Sequence, residues 1–317
     1  MNLYYIKGQL LSTIQHEDFK LEKDLQKLVE ANLKTLFGFT FVSSEFSLDK
    51  FRLDTLAYDE ENNAFVIIEY KKKHNASVID QGYSYLSLML ANKADFILEF
   101  NERRTEDLKR SEVNWPLSRV LFISPSFSRY QKNSVNFKDI PFELWEIRRF
   151  ADGIISVDQI QASSKESIEQ ITTTQPNSVI NQVSSEIQVY REEDHISRLS
   201  PAILEVWEDL RANLEDWPDS SFYARQPYIG LKRGNKTVCF IHFQKNALRI
   251  DISRGEKTED GERGSNFFDL DDYKKLAIER DWTLKNRRTG HKYSIILKHL
   301  RDVFFVLQLI EQKYSLL

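Results

Sequence analysis

The sequence contains a single cysteine, Cys239, among its 317 residues. One cysteine excludes an intrachain disulfide and a cysteine-rich zinc site, and it suits a protein that works in a reducing interior. No stretch of about 18 uninterrupted apolar residues occurs, as a membrane-spanning helix would need, and the first twenty residues lack the apolar run of a signal peptide. We therefore expect a soluble, cytoplasmic protein.

The chain also lacks the motifs of three large enzyme classes. It has no Walker A loop, no glycine-rich dinucleotide fingerprint and no Gly-X-Ser-X-Gly elbow, so nucleotide hydrolysis, NAD chemistry and serine hydrolysis lack support. Charge gives no global drive toward nucleic acid, because 44 basic and 48 acidic residues leave a net charge of −4. Any surface that binds nucleic acid must therefore be a local cluster of basic residues. The candidate cations are Arg52, Lys71, Lys72, Lys73, Arg103, Arg104, Lys109, Arg110, Arg148 and Arg149.

A predicted β-hairpin is the most informative feature that the chain does contain. Two runs of strand-forming residues, 51–58 and 64–70, flank a turn-forming cluster of acids and asparagines at 59–63. Folding the chain about the middle of that turn places Asp54 opposite Glu69. Because side chains alternate along a strand, Glu69 and Lys71 share a face and Tyr70 points the other way.

Two carboxylates set opposite each other on a sheet repel unless something compensates their charge. A divalent cation would do so, and hard cations such as Mg²⁺ are held by one or two carboxylates together with water. A lysine two residues after such a carboxylate can orient the attacking water and offset charge that builds on a phosphorus centre. Asp54, Glu69 and Lys71 therefore indicate a site for phosphate chemistry.

The pattern of Asp54 followed by Glu69-Tyr70-Lys71 resembles the motif of the PD-(D/E)XK nuclease superfamily. The resemblance implies an α/β (α+β) restriction-endonuclease-like core with a mixed central sheet flanked by helices. It implies that Asp54, Glu69 and the Tyr70 carbonyl bind Mg²⁺ or Mn²⁺ and that Lys71 positions the water. Leu53 stands where the proline of the superfamily name would be, at a position that varies widely.

Two further segments extend the resemblance toward the branch of archaeal-type single-strand and mismatch endonucleases, the NucS-like or DUF91-like proteins. A helix is predicted from Val78, capped by Ser77, with Gln81 and Tyr85 one turn apart on one face. An earlier amphipathic helix over 21–29 carries Glu22 at the edge of its apolar stripe. The resemblance implies that Gln81, Tyr85 and Glu22 support the metal site. From their charge and their position near Lys71, Arg52, Lys72 and Lys73 are expected to contact nucleic acid, although Lys72 and Lys73 could also belong to a solvated loop.

Composition divides the chain into two predicted domains. Residues 1–160 form the nuclease-like domain, and residues 161–196, rich in Ser, Thr, Gln, Asn and Glu, are predicted to be a polar linker. Residues 197–317 are predicted to form a small α+β domain. A helix begins at Ser200-Pro201, a three-stranded meander follows over 227–253, and a helix over 270–280, a strand over 291–297 and a final helix over 300–314 complete it. This domain resembles DUF5655, whose chemistry is not known.

Two features of the second domain allow functional interpretations beside plain structural ones. His242 and His291 lie in predicted strands beside aromatics, where a packed or surface histidine is the better interpretation. A basic and aromatic hairpin could stack a base and hold phosphates, although an ordinary solvated hairpin is the better interpretation. Its residues are Tyr228, Lys232, Arg233 and Lys236.

We expect a metal-dependent nuclease, in particular a DNA endonuclease of repair or defence. One alternative is a catalytically silent nucleic-acid-binding protein, although the intact Asp54, Glu69 and Lys71 argue against it. Another is an interaction or regulatory protein that acts through its C-terminal domain. The expected partner is nucleic acid, with a possible homodimer and a possible protein partner of the C-terminal domain.

Overall fold

The computed structural model describes residues 2–71, 77–137, 139–160, 179–256, 267–283 and 289–317. The chain divides into two compact units, Met1–Val189 and Tyr190–Leu317. A hydrophobic core lies within each of them.

The first unit is built on a central mixed sheet. Its order is β3-β8-β7-β6-β5-β4, and β9 also pairs with β8. The pairs β6–β7 and β7–β8 are parallel, whereas the other pairs are antiparallel. A separate hairpin precedes the sheet. The strands are β1 (Leu3–Lys7) and β2 (Leu10–Ile14) in the hairpin, then β3 (His16–Glu17), β4 (Thr40–Leu48), β5 (Phe51–Asp59), β6 (Ala64–Tyr70), β7 (Arg119–Ser124), β8 (Phe142–Phe150) and β9 (Ile155–Ile160).

Helices cover both faces of this sheet, as the predicted fold class requires. α3 and α4 bury their apolar side chains on the face that carries Phe65 and Ile67. α1 and α2 do so on the opposite face, against Val66 and Ile68. The apolar run of β6 is therefore buried on both sides, as is typical of an interior strand. The helices are α1 (Glu22–Ala31), α2 (Leu33–Phe37), α3 (Val78–Ala91), α4 (Lys93–Arg104) and α5 (Arg129–Ser134).

The predicted hairpin is present, with the predicted register. β5 and β6 pair antiparallel from Asp59 opposite Ala64 to Thr55 opposite Ile68. The same register, continued by one step, sets Asp54 against Glu69. Register matters here because a slip of one residue would turn Glu69 to the other face of the sheet.

The start of α3 also agrees with the sequence. Ser77 occupies the N-cap, and its hydroxyl oxygen accepts a hydrogen bond from the backbone N–H of Asp80 at 3.3 Å. A capped start fixes where the first turn begins, and so fixes which side chains of α3 turn toward β6.

The segment predicted as a linker contains helices in its described part. Residues 161–178 lie outside the described residues, and the remainder includes α6 (Val179–Glu186) and α7 (Glu192–Ile196). Val183 and the following Ile187 are buried in the core of the first unit. These two apolar residues are one turn apart, a pattern too short to stand out in a polar stretch.

The second unit contains a six-stranded antiparallel sheet of order β10-β11-β12-β13-β15-β14. α8 (Pro201–Glu215) and α9 (Val303–Ser315) pack against one face of it. α8 begins at the predicted place, with Pro201 in its first turn. The strands are β10 (Ser220–Arg225), β11 (Tyr228–Arg233), β12 (Lys236–Gln244), β13 (Ala247–Glu256), β14 (Ala277–Thr283) and β15 (Thr289–Leu297).

The prediction of a helix over residues 270–280 is wrong. Lys275 has a left-handed φ of 54°, which interrupts any helix there. The chain after it forms β14, which pairs with β15 along its whole length. Pairing with a neighbouring strand overrides the weak local preference of this charged segment.

In the part of the chain that the structure describes, no helix has both the length and the apolar character needed to cross a membrane.

Candidate metal and phosphodiesterase site

Asp54 lies where the β5–β6 ladder ends. The last paired residues are Thr55 and Ile68, and beyond them the Asp54 side chain replaces the backbone as the partner of β6. Its Oδ2 accepts a hydrogen bond from the backbone N–H of Tyr70 at 3.0 Å. Opposite Asp54 on β4 stands Glu45, whose left-handed φ of 57° interrupts that ladder as well. The Asp54 carboxylate therefore lies where the pairing of β5 with both neighbouring strands is interrupted, close to Glu69.

Glu69 receives hydrogen bonds on both of its carboxylate oxygens. Lys71 Nζ and Gln81 Nε2 each lie 2.8 Å from Oε1. The Tyr85 hydroxyl donates to Oε2 at 3.0 Å, and Gln81 Nε2 lies 2.8 Å from that hydroxyl. Because Glu69 is only 6% exposed, these donors fix the orientation of a buried carboxylate.

A backbone hydrogen bond to β7 positions Lys71. Its N–H donates to the carbonyl of Ile123 on β7 at 2.8 Å, which continues the parallel pairing past the end of β6. Its side chain is 15% exposed and lies on the same face as Glu69, as alternation predicts. The intervening Tyr70 is buried in the core on the opposite face.

The two carboxylates form an electrostatically strained pair. Burial, and then the charge of Glu69, raise the pKa of Asp54 to about 7, although the hydrogen bond from Tyr70 N–H and the charge of Lys71 oppose that rise. Burial and the Glu69 charge also raise the pKa of the Tyr85 hydroxyl, which therefore stays a donor. The site holds more negative charge than its lysine balances.

Glu22 lies in the first turn of α1, and its side chain is exposed. Its charge contributes to the raised pKa of Asp54, so the structure brings it into the electrostatic neighbourhood of the site. The structure thus brings together Asp54, Glu69, Lys71, Gln81 and Tyr85, with Glu22 at the edge.

Sequence reasoning missed Gln26, which supports the site from α1. It is 5% exposed, and its Nε2 lies 2.9 Å from the backbone oxygen of Asp54 and 3.0 Å from Glu30 Oε1. Thr55 donates to the same Glu30 oxygen at 2.6 Å. The signal was present, because Gln26 and Glu30 follow Glu22 at four-residue intervals on one helix face.

A cleft of about 430 Å³ opens beside Lys71. Phe51 was another residue that the sequence did not single out, and its ring meets that of Tyr85 edge to face at 6.4 Å. The cleft places an aromatic ring and several hydroxyl groups beside Lys71, Gln81 and Tyr85, the three residues that contact Glu69 or its donors. Its lining residues are Phe51, Lys71, Ser77, Asp80, Gln81, Ser84 and Tyr85.

The cations expected to contact nucleic acid in the first unit mostly have carboxylate partners. Arg52 is exposed and pairs with Glu45 at 2.8 Å. Lys72 and Lys73 lie outside the described residues. The other paired cations are Arg103 with Glu99, Arg104 with Glu106, Lys109 with Asp107, Arg148 with Glu146 and Asp158, and Arg149 with Glu17.

Among the described residues no group of three or more histidine, cysteine, aspartate or glutamate side chains could hold a metal ion by itself. The two histidines considered from the sequence take part in ion pairs, His242 with Asp251 and His291 with Asp281. At Asp54 and Glu69, a cation would need a backbone carbonyl and water to complete its ligands.

A protein of Haemophilus influenzae described as uncharacterized is 39% identical over 319 residues, which cover 98% of this chain and 99% of that protein. The chain belongs to the family of this protein. No family model matches it. Among solved structures, the EndoMS–dsDNA2 complex is 16% identical over 43% of this chain and 51% of that one, with a TM-score of 0.26. A repair endonuclease from Pyrococcus abyssi is 19% identical over 37% and 43%, with a TM-score of 0.22. TM-scores of this size do not establish a shared fold.

Proposed function

We propose that this protein is a metal-dependent phosphodiesterase of the PD-(D/E)XK type that cleaves nucleic acid, as a DNA endonuclease of repair or defence. The observation that carries the proposal is the convergence of Lys71, Gln81 and Tyr85 on Glu69, with Asp54 beside them. A carboxylate pair beside a lysine that lines a cleft has the chemistry of a phosphoryl-transfer site.

The donor set fits Mg²⁺ or Mn²⁺. Asp54 and Glu69 supply hard carboxylate oxygens. The N–H and C=O of one strand residue point to the same neighbour, so the Tyr70 carbonyl faces the side on which Asp54 accepts the Tyr70 N–H. Burial, and then the charge of Glu69, raise the pKa of Asp54, and a divalent cation would relieve the repulsion between the two acids. Asp54, Glu69 and the Tyr70 carbonyl would therefore hold the ion.

A bound cation would supply Lewis-acid polarisation of the phosphate and a more acidic water. The protein's own groups would orient the reactants. Lys71 would hold the attacking water and offset the charge that develops on the phosphate oxygens, because its Nζ lies 2.8 Å from Glu69 Oε1 at the edge of the cleft. Gln81 and Tyr85 would keep Glu69 in one orientation.

The test is cleavage of labelled single-stranded, duplex and forked DNA and RNA, with Mg²⁺, with Mn²⁺ and with chelator. We expect cutting that requires metal and falls by at least about 100-fold in Lys71→Ala, the scale of losing one charge-stabilising group. Lys34→Ala is the matched control, because Lys34 is an exposed lysine on α2 and is not among the candidate cations of the nucleic-acid surface. Equal cutting by Lys71→Ala and wild type would refute the role of Lys71.

Absence of cutting by the wild type under every metal would favour the silent nucleic-acid-binding protein instead. Capture of a protein by the second unit, without nucleic acid binding, would favour the regulatory alternative. The DUF5655 assignment, the homodimer and the protein partner stay predictions.

A further inference from the structure

The sheet of the second unit has two unlike faces. Side chains such as Leu231, Ile241 and Ile250 point to the helices and form the core. Side chains at the alternate positions point to the opposite face. We call this opposite face the polar sheet face, and the strand registers connect its members. These include Tyr223 opposite Gly230, Gly230 opposite Phe240, Phe240 opposite Asp251, and Asp251 opposite Ser294.

Charge on the polar sheet face is strongly one-sided. Among the described side chains, five cations and one carboxylate, Asp251, occupy its positions, although the whole chain carries a net charge of −4. The five cations are Arg225, Lys232, Arg249, Arg280 and Lys292.

Aromatic rings lie between these cations. The ring of Tyr228 meets Phe240 at 4.7 Å and Tyr223 at 6.2 Å between centroids, and all three side chains are half-buried. Lys232 Nζ lies 4.6 Å from the Tyr223 ring centroid. The rings form a continuous aromatic strip across β10, β11 and β12.

Gly230 allows this strip to lie close to the sheet. A Cβ at this position would come within 2.3 Å of the Tyr223 ring, so no other residue leaves room for the ring to cover the strand. Because Gly230 has no side chain, the Tyr223 ring can pack directly on the backbone of β11. The Tyr223 ring therefore lies on the sheet itself, with Lys232 and Arg225 over it at 4.6 and 5.0 Å from its centroid, and the Tyr228 and Phe240 rings continue the strip beside it.

The single carboxylate organises the basic groups around it. Asp251 is 2% exposed and accepts from Lys292 Nζ at 2.7 Å and Ser294 Oγ at 2.6 Å, while His242 Nε2 lies at 3.2 Å. Arg249 Nε is 3.4 Å away. These contacts hold the pKa of Asp251 well below its ordinary value. One buried charge thus fixes two cations and leaves the face with an excess of positive charge.

We propose that the polar sheet face binds single-stranded nucleic acid. The inference deepens the proposed function, on which it rests for the class of substrate. Unpaired bases can stack on the aromatic strip while their phosphates meet the flanking cations. The bases of a duplex are stacked inside and cannot reach the rings. An acidic protein would match the charge and would leave the aromatic strip without a role.

Binding of a fluorescent 30-nucleotide oligothymidylate to the full-length protein in chelator tests the proposal without cleavage. We expect tighter binding to this strand than to a duplex of equal length. Tyr228→Leu keeps apolar bulk and removes the ring, and we expect it to weaken binding about tenfold. An oligouridylate in parallel shows whether the face distinguishes DNA from RNA.

Charge is tested by the salt dependence of the same binding. A plot of log K against log salt has a negative slope, of about 0.7 for each phosphate contact with a single strand. The double variant Lys232→Gln with Arg280→Gln should make this slope less steep by about 1.4. The control is the equally charged double variant Lys298→Gln with Arg301→Gln, at two exposed positions outside the face, and it should leave the slope unchanged. Thermal unfolding of each variant verifies that it is folded.

Failure of this proposal is distinguishable from failure of the nuclease proposal. Single-strand binding that depends on the face, without cutting in Mg²⁺ or Mn²⁺, would support the binding face and refute the nuclease. Cutting with metal, together with unchanged oligonucleotide binding by both face variants, would overturn the binding face alone. Equal affinity for duplex and single strand, or no oligonucleotide binding by the wild type, would also overturn it.

Discussion

Replacing Asp54 by asparagine should stabilise the metal-free protein at neutral and alkaline pH. Asparagine has the same shape, its oxygen can accept the Tyr70 N–H, and its amide can donate to Glu69. The charge that repels Glu69 disappears. We therefore expect a variant that gains stability as it loses cleavage, because the residue is costly for the fold and necessary for the proposed chemistry.

The sign follows from the pKa of Asp54. The folded-state pKa is raised from 3.8 to about 7, so between these values the folded protein holds a proton that the unfolded chain has lost. The free energy of unfolding of the wild type should then fall as pH rises from about 4 to about 7, and change little from this group above pH 7. Asp54→Asn should lack this part of the pH dependence.

The rise from 3.8 to about 7 corresponds to about 4 kcal/mol at 1.36 kcal/mol per pH unit. Asp54 is only half-buried and water screens part of its interaction with Glu69, so we expect about half of that, ~2 kcal/mol, at pH 8. The difference should shrink to about 1.4 kcal/mol at pH 5 and below about 1 kcal/mol at pH 4. A gain of this size raises the thermal midpoint of a unit this large by about 4–8 °C.

Urea unfolding in chelator at pH 5 and pH 8 measures the effect, for wild type, Asp54→Asn and a control. Asp107→Asn is a suitable control because the Asp107 side chain is 86% exposed. A variant Asp54→Asn that is less stable than wild type at pH 8 would refute the reasoning. So would a gain of equal size at both pH values.

Three further predictions concern single side chains. Gly82→Ala should destabilise the protein by about 1–3 kcal/mol in urea unfolding, since a Cβ would come within 2.6 Å of the Phe142 ring, and stabilisation through helix propensity would contradict this. Tyr85→Phe should cost about 1–2 kcal/mol in chelator, because it removes the donor to Glu69 Oε2, and an unchanged urea midpoint would show that the bond contributes nothing. Cys239 is fully buried and burial raises its pKa, so a thiol reagent should label it only on unfolding; rapid labelling of the native protein would disprove that burial.

The hairpin could be predicted because its signals are local. The turn cluster, the strand alternation and the apolar run into Glu69 all specify one register, and the structure has it. The N-cap at Ser77 was equally readable, since capping depends on neighbouring residues. Local signals therefore placed Gln81 and Tyr85 on one face of α3, whereas their approach to Glu69 was implied by the family resemblance.

Features that depend on distant partners could not be predicted. β14 has a weak preference of its own and exists because β15 pairs with it. The spacing of Gln26 puts it on the helix face of Glu22, but its contact with the backbone of Asp54, 28 residues away, is shown only by the folded chain. Asp251 likewise collects Lys292 and Ser294 from a strand more than 40 residues later.

The order of elements along the chain has a kinetic consequence. Asp54 and Glu69 belong to one hairpin, and hairpins form in about 1–10 μs. The hydrogen-bond donors Gln81 and Tyr85 lie on α3, in the connection between β6 and β7. This connection closes only when β7, which starts at Arg119, pairs with β6. Closing so long a loop is slower. During folding the two acids therefore meet before the groups that orient Glu69 arrive.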